Sequence, residues 1–303
     1  MSALAKLLPS QLLPVKLFKD PPPNYVFELS EAGIAFAKMG ASPQINFQPF
    51  EEGVLLVSPV HDNIQKPEQL STQINALIPS NGNRKRRAAL ILPDYCARVA
   101  VLDFDAFPSG HEEQRALVRF RMKKSVPFDV DTAIVSYYPQ PRAAAGQKIE
   151  VVVAIMATEI VSRYEAPFLA AGFLPGLVTT SALAMLNMLQ PDGVTLVVKL
   201  SGRTLTAMVM DNSVLKLVRC VEMEAAERED IEAVIHPTLA YIEDELQSSP
   251  KRILLCGLGV IGEQMASQWH ADWGVNVETI RSRYGAPGPG NAGLLGYLES
   301  LEG

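Results

Sequence analysis

A glycine-rich segment near the end of the chain carries the clearest motif for binding chemistry. Residues 257–262 read Gly-Leu-Gly-Val-Ile-Gly and follow a predicted strand at 252–256. The spacing matches the turn at which dinucleotides bind, and Glu278 lies about 20 residues further on, where such folds place an acid for the ribose. Only one short helix is predicted after Glu278. Three alternatives therefore stay open: a dinucleotide site, a mononucleotide-type turn of another fold, and a tight turn without a ligand.

Motifs for other catalytic chemistry are missing from the sequence. His61, His111, His236 and His270 are far apart and show none of the spacings of zinc hydrolases. Neither GxSxG nor a GxxxxGKS/T loop occurs. The acidic stretch 222–232 has no fixed ligand spacing, so it is interpreted as a solvated helix start. We expect no catalytic residue and no metal site.

Two basic segments are candidates for docking. Residues 84–87 read Arg-Lys-Arg-Arg after a predicted turn, and a solvated loop is preferred there over phosphate or membrane binding. Arg115, Arg119 and Lys123 are four residues apart and share one face of a predicted helix. This face is either an ordinary charged surface or a place where a partner docks. These three residues are the candidate partner-binding residues.

The composition narrows the class of protein. The 303 residues include 27 Lys and Arg against 33 Asp and Glu, and the net charge of -6 disfavours nucleic acid as a partner. A hydrophobic share of 48% is typical of a folded globular protein. The cysteines form no CxxC pair, and no apolar run approaches the ~18 residues of a membrane span. We expect a soluble, cytoplasmic protein whose first 15 residues are not a cleaved secretion signal.

The predicted elements occur twice in the same order: three strands, a helix and a buried strand. In the first half they lie at residues 26–29, 34–39, 54–57, 66–78 and 88–92. In the second half they lie at residues 194–200, 205–210, 214–221, 225–246 and 252–256. Residues 27–30, Phe-Glu-Leu-Ser, align without a gap on residues 198–201, Val-Lys-Leu-Ser. This repetition predicts a duplicated α/β unit.

Residues 97–146 interrupt the first half and are predicted to form a small insertion. Ser109 and Glu112 have the S-x-x-E spacing of a capping box, so a helix is expected to begin near Ser109. It should end by Val126, because Pro127 disfavours helix at the residue before it. The apolar strand at 150–157 is expected to return the chain to the main core.

Five stretches of the chain together carry a family resemblance. They are VRFRMKKSVPFDVDTAIVSYY (118–138), VVVAIMATEIVSRYEAPFLAAGFL (151–174), residues 195–219, RILLCGLGVIG (252–262) and NAGLLGYL (291–298). In this order they resemble the PilM family of type IV pilus assembly proteins, which are actin-like. The resemblance implies a duplicated actin-like (ribonuclease H-like) fold, with halves at 1–190 and 191–303. In that fold, the turn at 257–262 would contact adenosine, and the insertion at 97–146 would replace actin's own.

Two departures from the family pattern suggest a degenerate nucleotide site. ATP-binding members carry Asp-x-Gly in each hairpin, whereas this chain has Glu28-Leu29-Ser30 and Lys199-Leu200-Ser201. A lysine cannot hold Mg²⁺, although Lys199 could neutralise a phosphate directly. The second half is also shortened, because few residues separate 221 from 252. The vestigial cleft would consist of Ser30, Ser201, Gly202, Gly257 and Gly259, with no cofactor required and ATP as the alternative.

The resemblance implies a scaffold function. PilM-type proteins bind the cytoplasmic tail of a bitopic membrane partner, PilN, at the inner membrane. We expect a non-catalytic protein that is peripheral to the inner membrane of a type IV pilus or type II secretion platform. The expected tail groove lies between the first half and the insertion. The alternatives are an actin-like ATP-binding protein with weak turnover, a dinucleotide-dependent enzyme, and a homo-oligomer.

Overall fold

The architecture is taken from a computed structural model, which describes residues 22–40, 42–78, 86–142, 146–190 and 192–301. In chain order the strands and helices are β1 (Tyr25–Ser30), β2 (Gly33–Lys38), β3 (Gln44–Pro49), α1 (Pro67–Leu77), β4 (Arg86–Leu92), β5 (Arg98–Phe104), α2 (His111–Met122), β6 (Ile134–Pro139), β7 (Ile149–Met156), α3 (Thr158–Ala170), β8 (Phe173–Thr180), α4 (Ser181–Met185), β9 (Val194–Ser201), β10 (Thr204–Asp211), β11 (Val214–Glu222), α5 (Arg228–Leu246), β12 (Arg252–Cys256), α6 (Gly259–Trp273), β13 (Asn276–Thr279) and α7 (Ala292–Glu299). Short 3-10 helices, Asp94–Cys96 and Leu186–Met188, follow β4 and α4.

Two five-stranded sheets repeat the same topology. Their strand orders are β3-β2-β1-β4-β8 and β11-β10-β9-β12-β13. In the first sheet, β1 forms an antiparallel hairpin with β2 and runs parallel to β4. In the second sheet, β9 pairs in the same two ways with β10 and β12. The register is the same too, since Ser30 pairs with Gly33 and Ser201 pairs with Thr204 at the two turns. The duplication that the sequence predicted is present in the structure.

Side-chain alternation gives the central strands two buried faces. On β1, Phe27 and Leu29 pack with α1 and α3, whereas Val26 packs with α7 on the opposite face. The second sheet is covered by α5 and α6 on one face. Its other face joins the apolar core of the first half, through residues such as Val197 and Met208. One hydrophobic cluster therefore spans both halves, and separate clusters lie on the outer faces of the two sheets and in the small sheet.

A third, smaller sheet projects from the first half. Its strand order is β5-β7-β6, and Val118 and Met122 of α2 pack against it. The central strand β7 ends at Met156, so the insertion predicted at 97–146 is too short at its carboxyl end. The apolar sequence of β7 predicts a return to the main core, and one face of the strand makes it: Val152, Ala154 and Met156 belong to the main hydrophobic cluster. The other face, with Val151, Val153 and Ile155, packs with α2 in the small subdomain.

Two local predictions are wrong. The third strand of the first sheet is β3, not residues 54–57, where only an isolated bridge joins Leu55 to Ile64. β3 is an exposed edge strand, which explains its weak apolar pattern. The second error is the capping box, because α2 begins at His111 after Gly110 and has no side-chain cap.

Some predictions fall partly outside the described residues. They are the uncleaved amino-terminal segment and residues 84 and 85 of the basic loop. Within the continuous stretch 192–301, α5 is the only helix between β11 and β12, as the predicted shortening requires. None of the helices in the described part of the chain combines the length and apolar character that a bilayer crossing needs.

Candidate functional site

The two hairpin turns and the glycine-rich turn meet at one cleft. The Ser201 Oγ donates a hydrogen bond of 2.6 Å to the Pro289 carbonyl, in the loop between β13 and α7. In the same loop, a Cβ on Gly290 would lie 2.9 Å from the Ser30 Oγ. Gly257 has a φ of +77°, and a Cβ there would clash with the Leu200 carbonyl and lie 3.3 Å from the Pro289 Cα. Ser30, Ser201 and Gly257 thus surround one loop.

The other two predicted cleft residues occupy different surroundings. Gly202 lies in the β9–β10 turn with a φ of +57°, directly against the side chain of Glu31. Gly259 begins α6 with a φ of +55°, and open space surrounds the place where its Cβ would be. Glycine at both positions is explained by the left-handed backbone, which other residues adopt reluctantly.

A buried ion pair lies close to the second hairpin turn, because Lys199 is two residues before Ser201 on β9. The Lys199 Nζ lies 2.7 Å from the Asp94 Oδ2, and the two side chains are only 1% and 4% exposed. Asp94 also accepts hydrogen bonds from the Ala182 backbone N–H, at 2.6 Å, and from the Thr206 hydroxyl, at 3.3 Å. The pair joins β9 of the second half to the short helix that follows β4 of the first.

Burial and neighbouring charges act in opposite directions on Lys199. Burial disfavours the charged ammonium, but Asp94 and Glu28 outweigh that effect and leave the pKa of Lys199 raised. The ammonium charge is therefore already balanced inside the protein. The hypothesis that Lys199 neutralises a phosphate directly would require this pair to break.

Glu28 occupies in the first hairpin the position that Lys199 occupies in the second, and both of its carboxylate oxygens accept hydrogen bonds. Its carboxylate accepts hydrogen bonds from the Ser181 hydroxyl, at 2.5 Å, and from the Leu294 backbone N–H at the start of α7, at 2.6 Å. Burial raises the pKa of Glu28, although Lys199 and these donors oppose the shift. Sequence reasoning missed Asp94, Ser181 and Leu294 as partners in this cluster. An aspartate directly after a buried strand and Pro93 was the available hint for Asp94.

Glu31 places a third carboxylate in the cleft. Its Oε1 accepts a hydrogen bond from the Val57 backbone N–H at 3.2 Å. Its Oε2 lies 2.6 Å from where a Cβ on Gly202 would be, so the side chain reaches from the first hairpin turn to the second. Neither the alignment nor the motifs singled out this residue.

A separate groove lies where the first half, the small sheet and β11 meet. Its volume is about 370 Å³. Residues from all three regions line it: Pro59, Tyr95, Ala97, Arg98, Ser125, Pro127, Phe128, Cys220, Val221 and Glu222. The sequence hypothesis placed a groove between the first half and the insertion, and this cavity has both as walls with the second half as a third.

Of the predicted partner-binding residues, Arg115 and Arg119 lie on α2 and Lys123 follows its last residue; none of the three lines the groove. Arg115 and Lys123 are exposed, whereas Arg119 is half-buried and donates a hydrogen bond of 3.1 Å to the Ala133 carbonyl. The chain runs from α2 into Ser125, Pro127 and Phe128, which do line the groove. Arg98 is the basic residue in its wall.

Comparison with solved structures identifies the fold over most of the chain. The chain matches a chain of the PilM–PilN type IV pilus biogenesis complex with a TM-score of 0.70 and 20% identity, over 94% of this chain and 100% of that one. The fold is actin-like. A Bacteroides thetaiotaomicron protein of actin-like ATPase fold and unknown function matches with a TM-score of 0.52 and 12% identity, over 85% and 91% of the two chains. No protein-family model and no curated protein sequence matches the chain.

The actin-like topology accounts for the glycine-rich turn without a dinucleotide. A dinucleotide-binding domain has a mostly parallel sheet, whereas β9, β10 and β11 are antiparallel neighbours here. Glu278 is exposed on β13, where it accepts a hydrogen bond from the Asn276 side chain. The alternative of a dinucleotide-dependent enzyme is not supported by this sheet.

The cleft residues do not fit ATP and Mg²⁺. The carboxylates of Asp94 and Glu28 act on the Lys199 ammonium, and Glu31 adds a third carboxylate between the hairpin turns. A polyphosphate would therefore add negative charge to a site where acids already outnumber bases. Both carboxylate oxygens of Glu28, both of Asp94 and the Oε1 of Glu31 already accept hydrogen bonds from protein donors. No group of three or more His, Cys, Asp or Glu side chains in the described ranges could hold a metal ion.

Proposed function

We propose that this chain is a cytoplasmic scaffold of a type IV pilus or related type II secretion assembly platform at the inner membrane. It binds the cytoplasmic tail of a PilN-like membrane partner and does not hydrolyse ATP. The proposal is supported by the likeness to a chain of the PilM–PilN complex, which extends over almost the full length of both chains. Self-association stays a prediction.

The residues that line the groove are where we expect the tail to bind. A peptide tail needs a concave surface with apolar walls and a few polar groups that fix its direction. Phe128 and Tyr95 supply aromatic walls, and Arg98 and Glu222 supply opposite charges. Because the walls come from three regions of the chain, the groove exists only when these regions are correctly packed together.

Calorimetry with the partner's tail as a synthetic peptide tests this function. Replacing Phe128 with Ala should weaken binding by about 30-fold, since aromatic anchors at the centre of an interface contribute ~2 kcal/mol or more. Phe120→Ala is the matched control, because Phe120 is 75% exposed on α2 and does not line the groove. The control should bind as the wild type does.

Two results would contradict the proposal. One is a wild-type chain that gives no heat with the tail of any inner-membrane platform protein. The other is a Phe128→Ala variant that binds the tail unchanged, which would place the site elsewhere. Arg115→Glu tests the predicted α2 face in the same titration.

A further inference from the structure

The contacts across the cleft occupy the region where the two hairpin turns face each other. Glu31 of the first turn lies against Gly202 of the second, and Ser201 is bonded to the loop that also contacts Ser30. A ligand between the turns would have to displace this side chain and part of the loop. The Glu31 side chain and the loop before α7 therefore occupy the space between the two turns.

The deeper contacts tie the same two halves together. Lys199 and Thr206 of the second half both bind the Asp94 carboxylate of the first half. Withdrawing either half would leave Asp94 or Lys199 buried without its counter-charge, which is strongly unfavourable.

The small sheet adds a third connection at the edge of the second sheet. The Gln140 side chain donates to the Leu215 carbonyl and accepts from the Leu215 N–H, both at 2.8 Å. Lys216 also pairs with Glu150 at 2.8 Å. The edge strand β11 is therefore held against the insertion along the same side of the molecule as the groove.

We propose that Glu31 and the Lys199–Asp94 pair hold the two halves closed in place of a nucleotide. The chain is locked by its own side chains and gains nothing from ATP. If the proposed scaffold function is correct, on which this step rests, the groove between the halves and the insertion is permanently formed. Binding of the tail is then independent of nucleotide.

Hydrogen exchange of the full chain, followed by mass spectrometry, tests the lock. In the wild type, millimolar ATP with Mg²⁺ should leave exchange unchanged in peptides from the β1–β2 turn, the β9–β10 turn and residues 257–262. Lys199→Met should speed exchange by about tenfold or more in β9, β10 and Asp94–Cys96, because the buried pair is broken. Peptides from α3 and β8 should change less, since they pack within the first half.

Matched variants separate the lock from a general loss of stability. Lys251→Met removes a salt bridge to Asp192 that is largely exposed, so exchange should stay as in the wild type. Adding Asp94→Asn to Lys199→Met removes the unpaired charge and should return exchange towards the wild-type rate. Glu31→Ser changes a half-buried turn residue, so it should fold and loosen the two hairpin turns specifically.

Three outcomes would overturn the proposal. They are protection of the turns by ATP in the wild type, equal exchange in Lys199→Met and Lys251→Met, and unchanged turns in Glu31→Ser. These results do not depend on the partner. A failure of the peptide titration with an intact lock would refute the scaffold function alone.

Discussion

At the scale of single residues, the pair of Lys199 and Asp94 should be a major determinant of stability. Lys199→Met leaves a carboxylate buried without its cation, which costs about 3–5 kcal/mol in comparable cases. Lys251→Met should leave the unfolding midpoint close to that of the wild type, because its partner Asp192 is exposed. Urea unfolding followed by circular dichroism measures both variants. Equal urea midpoints for the two variants would show that the buried pair contributes no more to stability than the exposed pair does.

The raised pKa of Lys199 makes the contribution of the pair dependent on pH. Because the folded pKa lies above the unfolded value of about 10.4, the stabilisation is complete below that pH and is lost as pH rises through the folded pKa. The difference in melting temperature between the wild type and Lys199→Met should therefore be constant near neutrality and shrink in strong alkali. Thermal melts over a pH series check this.

The pH series must be interpreted as the difference between the wild type and Lys199→Met. Burial also raises the pKa of Tyr164 well above its usual value, so the wild type loses stability in alkali for more than one reason. Tyr164 is present in both proteins and cancels in the difference. A difference that grew with pH would contradict the assignment to Lys199.

Sequence reasoning proposed the cleft residues, but not how their charges are paired. Ser30 and Ser201 could be aligned because each ends the first strand of a repeated unit, whereas Gly257 was indicated by the GxGxxG spacing. The partner of Lys199 is 105 positions away, so its identity depends on how the halves pack. Glu31 could not be distinguished from an ordinary turn residue, because its role arises from the approach of the second turn.

At the scale of elements, the contact between α4 and α7 depends on glycine. A Cβ on Gly296 of α7 would clash with the Ala184 carbonyl and lie 2.7 Å from the Met185 Cα. In an open helix, Gly→Ala stabilises by about 1 kcal/mol. Here Gly296→Ala should destabilise by about 1–3 kcal/mol, as overpacking does.

A control for this substitution is available at another helix. Gly110, before α2, has only the Glu113 side chain near the place of its Cβ, at 3.6 Å or more. Gly110→Ala should change the free energy of unfolding by less than about 1 kcal/mol. A stabilised Gly296→Ala protein in chemical denaturation would mean that α4 and α7 are not closely packed.

The sequence predicted buried strands more accurately than exposed ones. The buried strands β1, β4, β9 and β12 were located to within a few residues, because apolar runs between turns identify them. The edge strand β3 was missed, because it is exposed along most of its length. The position of β7 and its contribution to the main core were predicted, but its pairing with β5 and β6 was not, since an apolar run shows that a strand is buried and not which strands flank it.

At the scale of the whole molecule, the shared core predicts one cooperative unfolding transition. Residues of both halves, such as Phe27 and Met208, belong to the same hydrophobic cluster. Both tryptophans, Trp269 and Trp273, lie on α6 in the second half, so their fluorescence reports that half alone. Fluorescence and far-ultraviolet circular dichroism should therefore give the same midpoint in urea. Separate midpoints would show that the halves unfold independently.

The opposite charges at equivalent positions of the two hairpins also bear on how a duplicated chain finds its correct pairing. Related units tend to offer each other similar surfaces, so like could associate with like. Two first halves would bring Glu28 and Asp94 against their own copies, and two second halves would bring Lys199 against Lys199, which like-charge repulsion penalises. Only a first half with a second half sets an ammonium against these carboxylates. The divergence of one repeated position into an acid and a base thus works as a recognition code between the halves of the duplication.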